Sequence, residues 1–142
     1  MPVIRRAQVI RRPIDEVFAT VADAGRFHEW NPTITSARRL TDGEAGLGSR
    51  FEWTLRGFGT VVQEFAEFEK NKRIRIVPHL EQLRGGHLFI FAVQGAATRI
   101  DHELTMSPTG WFRLLAPLMG LIGRRNLRDT ANALQRYLEG RR

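Results

Sequence analysis

The side chains with chemistry to offer are few and scattered. Four histidines, His28, His79, His87 and His102, lie far apart in the chain. No two of them stand one helical turn apart, the spacing that puts two imidazoles on one metal ion. Cysteine is absent, which excludes disulfides, thiolate nucleophiles, cysteine zinc sites and iron–sulfur ligation. Ser36, Ser49 and Ser107 have no G-x-S-x-G context. Gly46-Leu47-Gly48 lacks the Gly-Lys-Ser/Thr ending of a phosphate loop, and a strand pattern rather than a helix follows it. The sequence therefore predicts neither a metal nor a cofactor.

Three residues remain as candidates for moving a proton. His102 alternates onto one strand face with Ile100, Leu104 and Met106. On a cavity wall its imidazole could hydrogen-bond a ligand or act as an acid or base; packed in a core, it would bond a neighbouring backbone group instead. Gln63 and Glu64 occupy opposite faces of one strand, so one of the two points inward. Tyr137 could donate its hydroxyl to a carbonyl. With Asn126 and Asp129 it lies away from the leucine stripe of the last helix, where solvent exposure competes with a place on a pocket wall.

These residues need elements to hold them. Val3 to Ile10 is rich in β-formers and ends at Arg11-Arg12-Pro13. Ile14, Val17, Phe18 and Val21 recur at helical spacing, so a short helix covers Pro13 to Ala22, with Asp15 and Glu16 favoured in its first turn. A second short helical piece covers Ala24 to Trp30 and stops at Asn31-Pro32. Period-two patterning then predicts strands over Thr33 to Leu40, Ser49 to Arg56, Thr60 to Glu69, Arg73 to Val77, His87 to Val93 and Thr98 to Met106, with Pro78 to Gly86 as a loop. Phe51, Trp53 and Leu55 share the inward face of the second of these, and Trp30 is expected near the mouth of any pocket they line. Ordinary core packing would account for the same aromatics.

After Gly110 the pattern is helical to the end, in two unlike halves. Leu127, Ala131, Leu134 and Leu138 fall on one stripe. The first half, with Trp111, Leu115, Leu118, Met119 and Ile122, is apolar nearly all round. It must be buried on several sides, kinked near Pro117 or Gly120, or exposed for a partner. Strand, two short helices, six strands and one long helix make an α+β order in a single domain over residues 1–142. The long helix is the element able to cover the sheet's apolar face, and a sheet curved around it would leave a cavity between them.

The chain carries 22 Lys+Arg against 15 Asp+Glu, a formal net charge of +7. Twenty of those cations are arginines, spread along the whole sequence. Such a balance favours anionic partners. Arg124, Arg125 and Arg128 follow the apolar stretch at once, a juxtaposition suited to an anionic membrane surface. A cavity lid followed by a solvated basic turn fits the same residues. Nucleic acid ranks last, because no aromatic-interleaved RNA motif is visible. The opening residues show no secretory pattern, and Trp111 to Gly123 is too short to span a bilayer, so a cytoplasmic location is the default expectation. Nothing in the sequence bears on oligomeric state.

Several motifs occur in an order that resembles a known family. Pro13-Ile14-Asp15-Glu16-Val17-Phe18, Phe27, Trp30-Asn31-Pro32 and Gly46-Leu47-Gly48-Ser49-Arg50-Phe51 are similar to the polyketide cyclase/dehydrase branch of the START-like (Bet v 1-like, SRPBCC) superfamily. Leu115-Ala116-Pro117 and Leu134-Gln135-Arg136-Tyr137-Leu138-Glu139 extend the likeness over essentially the whole chain. The resemblance implies a helix-grip fold: a curved seven-stranded antiparallel β-sheet wrapped around a long C-terminal α-helix, two short helices between strands 1 and 2, and an apolar pocket enclosed.

The first expectation is a non-catalytic binding protein for a hydrophobic small molecule, such as a lipid, isoprenoid or polyketide. Its expected contacts are Trp30, Phe51, Trp53, Leu55, Ile100, His102, Leu104, Trp111, Leu115 and Met119. The alternative is a polyketide cyclase or aromatase, which would use His102, Tyr137 and an inward Glu64. The third is an interaction module working through its basic surface on a membrane, ribosome or RNA.

Overall fold

The computed structural model describes residues 3–81 and 83–140. Seven strands form one antiparallel sheet: β1 Val3–Ile10, β2 Ile34–Arg39, β3 Arg50–Leu55, β4 Gly59–Glu69, β5 Arg73–Pro78, β6 Leu83–Gln94 and β7 Ala97–Pro108. Their order is β1-β7-β6-β5-β4-β3-β2. Every neighbour except the β1–β7 pair is also a neighbour in sequence, so the sheet is a meander closed at one edge by β1. Helix α1 (Ile14–Ala22) and a 3-10 turn (Ala24–Glu29) stand between β1 and β2. A second 3-10 turn (Gly110–Leu115) leads into the long helix α2 (Ala116–Glu139). This is the helix-grip architecture.

Alternation fixes which face each strand buries. On β3, Phe51 and Trp53 are buried while Arg50 is exposed and Glu52 pairs outward with Arg38. Phe27 stacks on Trp53 with ring centroids 4.8 Å apart, and Phe51 tilts against Phe65 at the same distance. Helix α2 buries Leu127, Ala131, Leu134 and Leu138 against this core, the stripe the sequence predicts. The helix comes very close to the sheet at Gly123. A Cβ there would stand 2.6 Å from Met106 Sδ and 3.0 Å from Ile4 Cδ1.

Three predicted boundaries shift. The stretch Pro78 to Gly86, expected as loop, already contains the start of β6, which pairs Leu83 with Pro108 and Gly85 with Met106. Gly85 permits this. Its φ of +137° is backbone that side-chain-bearing residues avoid, and a Cβ would meet the Thr105 carbonyl oxygen at 1.9 Å. By the same pairing β7 runs on through Ser107 to Pro108, where the sequence predicts a break. The last helix is not kinked at Pro117. The chain turns through the 3-10 segment first, and Pro117 sits in the first turn of α2, where its missing N–H costs no hydrogen bond.

Candidate functional site

Between the concave face of the sheet and the first half of α2 lies an open cavity of about 430 Å³. Trp53 and Leu55 from β3, Leu83 from β6, and Leu104 and Met106 from β7 supply its greasy wall. Phe112, Met119 and Ile122 close over it from the helical side. Phe58 and Ile122 border the cavity yet are 58% and 55% exposed, which puts its mouth between the β3–β4 turn and α2. Arg56 and Arg84, both exposed, border it as well. Two further hollows lie on the outer surface. One is a basic groove of about 550 Å³ formed by Arg5, Arg6, Arg124, Arg125 and Arg128 with Ile4, Leu121 and Leu127. The other runs between Tyr137, Trp30 and the charged residues Glu16, Asp23, Arg26 and Glu29.

The structure separates the expected contacts into three groups. Trp53, Leu55, Leu104 and Met119 border the cavity. Trp30, Phe51 and Ile100 are core residues that do not reach it. Trp30, expected at the mouth, instead packs on Phe27 with centroids 4.6 Å apart and borders the small charged hollow. Trp111 and Leu115 face outward, Trp111 at 66% exposure. The reason is the 3-10 turn, which advances the chain by a different angle per residue from the α-helix that the sequence pattern predicts there.

The proton-moving candidates divide as well. The strand carrying Gln63 and Glu64 resolves toward Gln63, which is 5% exposed and borders the cavity. Glu64 lies on the other face, 3.0 Å from His79 and 3.4 Å from Arg50. Tyr137 is half-buried against the core and does not border the cavity. Of the polar residues of α2, Asn126 and Thr130 border it, whereas Asp129 pairs with Arg128. His102 faces inward but sits behind the wall at 1% exposure. The imidazole that borders the cavity is that of His87.

His102 is held from both sides. Its Nε2 is 2.6 Å from Gln8 Oε1, and its Nδ1 is 2.8 Å from His87 Nε2. Gln8 in turn donates its amide N–H to the Ala131 carbonyl of α2 at 2.9 Å. Phe89 packs edge-on to His102 and flat against His87, at 5.1 and 4.0 Å between centroids. Burial holds the His102 pKa down at about 4, with the Arg6 charge adding to the effect and Asp101 opposing it. Burial also lowers His87 well below the ordinary imidazole range, and neighbouring His102 adds to this. Both rings are neutral at pH 7.

The pairing of His87 with His102 is hidden in the sequence because the two are 15 residues apart. A signal for it exists. The hairpin turn at Gly95-Ala96 sets Phe89 opposite His102 and His87 opposite Leu104, so all four share one face.

The polar groups of the cavity are thus one neutral imidazole, carboxamides and hydroxyls, with the exposed guanidinium groups of Arg56 and Arg84 at its border. Asn31 donates to Thr130 at 3.3 Å and accepts from the Thr33 N–H and hydroxyl at 3.0 and 2.7 Å. Gln63, by contrast, has no side-chain partner among the described residues. The arrangement can orient an apolar molecule by a few hydrogen bonds.

A family model described as "polyketide cyclase / dehydrase and lipid transport" matches residues 1–139. The chain belongs to that family. Among curated proteins none matches the sequence. Solved structures do. TTHA0849 from Thermus thermophilus superposes with a TM-score of 0.80 at 20% identity, covering 98% of each chain. A START superfamily protein from Mycobacterium smegmatis gives 0.78 at 15% identity, covering 97% of each chain. The Zhui aromatase/cyclase from Streptomyces sp. R1128 gives 0.78 at 12% identity, covering 97% of this chain and 93% of its own. At such identities the likeness establishes the fold, while activity has to be argued from the site.

Proposed function

We propose that this family member holds a hydrophobic small molecule, a lipid, isoprenoid or polyketide-like compound, in the cavity and carries it without chemical turnover. The observation that carries this reading is the apolar wall of Trp53, Leu55, Leu83, Leu104, Met106 and Met119 around about 430 Å³. Burying about 250 Å² of apolar ligand surface there is worth roughly 6 kcal/mol before the entropy cost of association. Cyclisation chemistry has less support. Of its three expected groups, Tyr137 and Glu64 lie outside the cavity and His102 lies behind His87. Native mass spectrometry against a panel of fatty acids, isoprenoids and polycyclic aromatics tests the carrier reading. One-to-one complexes released unaltered are expected. A panel that leaves the protein bare, or a ligand returned with a new mass, rejects it.

The loading surface we propose is the segment Gly110–Ile122 laid on an anionic bilayer. Trp111, Leu114, Leu118 and Leu121 are exposed, Leu114 at 85%. Arg113, Arg124 and Arg125 flank them without an ion pair among the described residues, and no Asp or Glu occurs between Leu104 and Arg128. An apolar ridge bordered by unneutralised guanidinium groups matches a surface of acidic headgroups over hydrocarbon. The ridge also covers the cavity, since Phe112, Met119 and Ile122 of the same segment border it. Among the described residues no helix is long and apolar enough to cross a membrane. Co-sedimentation is expected with phosphatidylglycerol-containing vesicles, weakening with salt, and not with pure phosphatidylcholine. Equal binding to both overturns the docking surface. Concentration-dependent dimerisation that hides Trp111 would reassign the ridge to a second copy of this chain.

A further inference from the structure

The hydrogen bonds behind the cavity wall run in one direction only. The Ala131 carbonyl can only accept, so Gln8 must turn its N–H₂ toward it, at 2.9 Å. That leaves Gln8 Oε1, an acceptor, facing His102 Nε2 at 2.6 Å, so Nε2 carries the proton. Two protons cannot share the 2.8 Å gap between His102 Nδ1 and His87 Nε2. The neutral His102 ring spends its proton on Gln8, so its Nδ1 accepts and His87 Nε2 donates. The proton of His87 is thereby committed behind the wall. What remains is His87 Nδ1, a lone pair with no partner among the described residues, on a ring that borders the cavity. A backbone carbonyl on α2 thus sets, through two side chains, the hydrogen-bonding sense of a third.

A second polar group points the same way. Gln63 is 5% exposed, borders the cavity and has no side-chain partner among the described residues. Its nitrogen and oxygen are absent from the sealed, unpartnered atoms, so both keep surface that a ligand can touch. Gln63 pairs across β4–β5 with Pro78, and His87 across β5–β6 with Ile76. Two strand spacings and a two-residue offset put their backbones about 12 Å apart on one face.

From these relationships we infer that the cavity selects an apolar molecule bearing a hydroxyl or N–H donor, which bonds His87 Nδ1, with Gln63 as a second polar contact farther along the molecule. The inference rests on the carrier reading and names the class of cargo. A molecule whose polar atoms only accept, such as an ether, leaves two lone pairs opposed at His87. Gln8 and His102 are positioning residues: they touch no cargo and act by fixing which nitrogen of His87 is bare.

Titration calorimetry with 2-naphthol, 2-methoxynaphthalene and naphthalene tests this. Tenfold or greater preference for 2-naphthol over the methyl ether is expected. His87→Phe is expected to cut that ratio at least fivefold while leaving naphthalene binding in place, and Gln8→Met to lower it by freeing the tautomer. Because either variant can fail to fold, ¹⁵N chemical shifts of the wild-type imidazoles give an independent reading. A bare Nδ1 and protonated Nε2 on His87 are expected; a protonated Nδ1 overturns the assignment. If the probes bind without a hydroxyl preference, or His87→Phe folds and keeps it unchanged, the donor rule is wrong and the carrier reading stands. Failure of all three probes to bind overturns the inference, and the panel of fatty acids, isoprenoids and polycyclic aromatics then decides the carrier reading separately.

Discussion

Trp53 and Ala24 are joined by a hydrogen bond that ties the cavity wall to the turn below it. The indole N–H donates to the Ala24 carbonyl at 2.8 Å, and both residues are buried. The bond holds the 3-10 turn Ala24–Glu29 against β3 and fixes the ring that stacks on Phe27. Trp53→Phe keeps a ring but strands the carbonyl. It is expected to cost about 1–3 kcal/mol in urea unfolding and to weaken binding of an aromatic ligand. A stability change within error would mean that the bond contributes nothing.

Acid should weaken the fold through the paired histidines. His102 titrates at about 4 in the folded protein and near 6.5 when unfolded. Its contribution is therefore complete above about pH 6.5 and drains away as pH falls toward 4. Arg6 and Asp101 act on it through their charge, and His87 contacts it directly. Between pH 7 and pH 5 the loss is roughly 2 kcal/mol for such a ring, and His87 adds to it in the same direction. His102→Leu should flatten the dependence between those two pH values. A variant as pH-sensitive as the wild type would show that the slope comes from elsewhere.

Gly85→Ala places a Cβ onto the Thr105 carbonyl at a φ of +137°. Destabilisation of about 2–4 kcal/mol is expected, because backbone rather than a mobile side chain must give way. Gly120→Ala, which meets nothing within 4 Å, is the control and should be neutral or stabilising. Thermal melts of the pair decide the point.

Filling the cavity should abolish binding without unfolding the protein. Leu104→Trp projects an indole from β7 into space bordered by His87 and Met119. Retained circular dichroism with lost ligand complexes in native mass spectrometry is the expected result. Undiminished binding would place the ligand elsewhere.

Leu118→Asp introduces a charge on the exposed ridge at a residue that does not border the cavity. Vesicle co-sedimentation should fall at least tenfold while ligand affinity in solution stays within twofold. Loss of both, or of neither, would separate Leu118 from membrane docking.

The strands and the leucine stripe are legible in the sequence because alternation and the 3.6-residue period directly report which face meets the core. Phe51 and Trp53 against Arg50 and Glu52 is that signal at full strength. Gln63 over Glu64 is not legible, since a strand with a bulge between Phe65 and Glu67 does not carry its parity unbroken along its length. Trp111 and Leu115 are misplaced by the helical pattern because nothing local distinguishes a 3-10 turn from the helix that follows it. The role of His87 needs the hairpin register, and that of Gln8 needs β1 to lie beside β7, a pairing that joins Gln8 to Ile100 across the sheet. Local pattern says nothing about a partner some ninety residues away.

The closing edge of the sheet has a consequence for how the molecule matures. Residues 3–10 pair in the sheet with residues 98–105 and also pack on α2, as Gln8 does on Ala131, so this early strand must wait for elements made much later. Such a distant pairing is slow to form and arrives after the local hairpins. Gln8 rides on that late strand. Until Gln8 reaches both Ala131 and His102, nothing fixes which nitrogen of His87 is bare, so the ability to discriminate among cargoes is completed by that same late step.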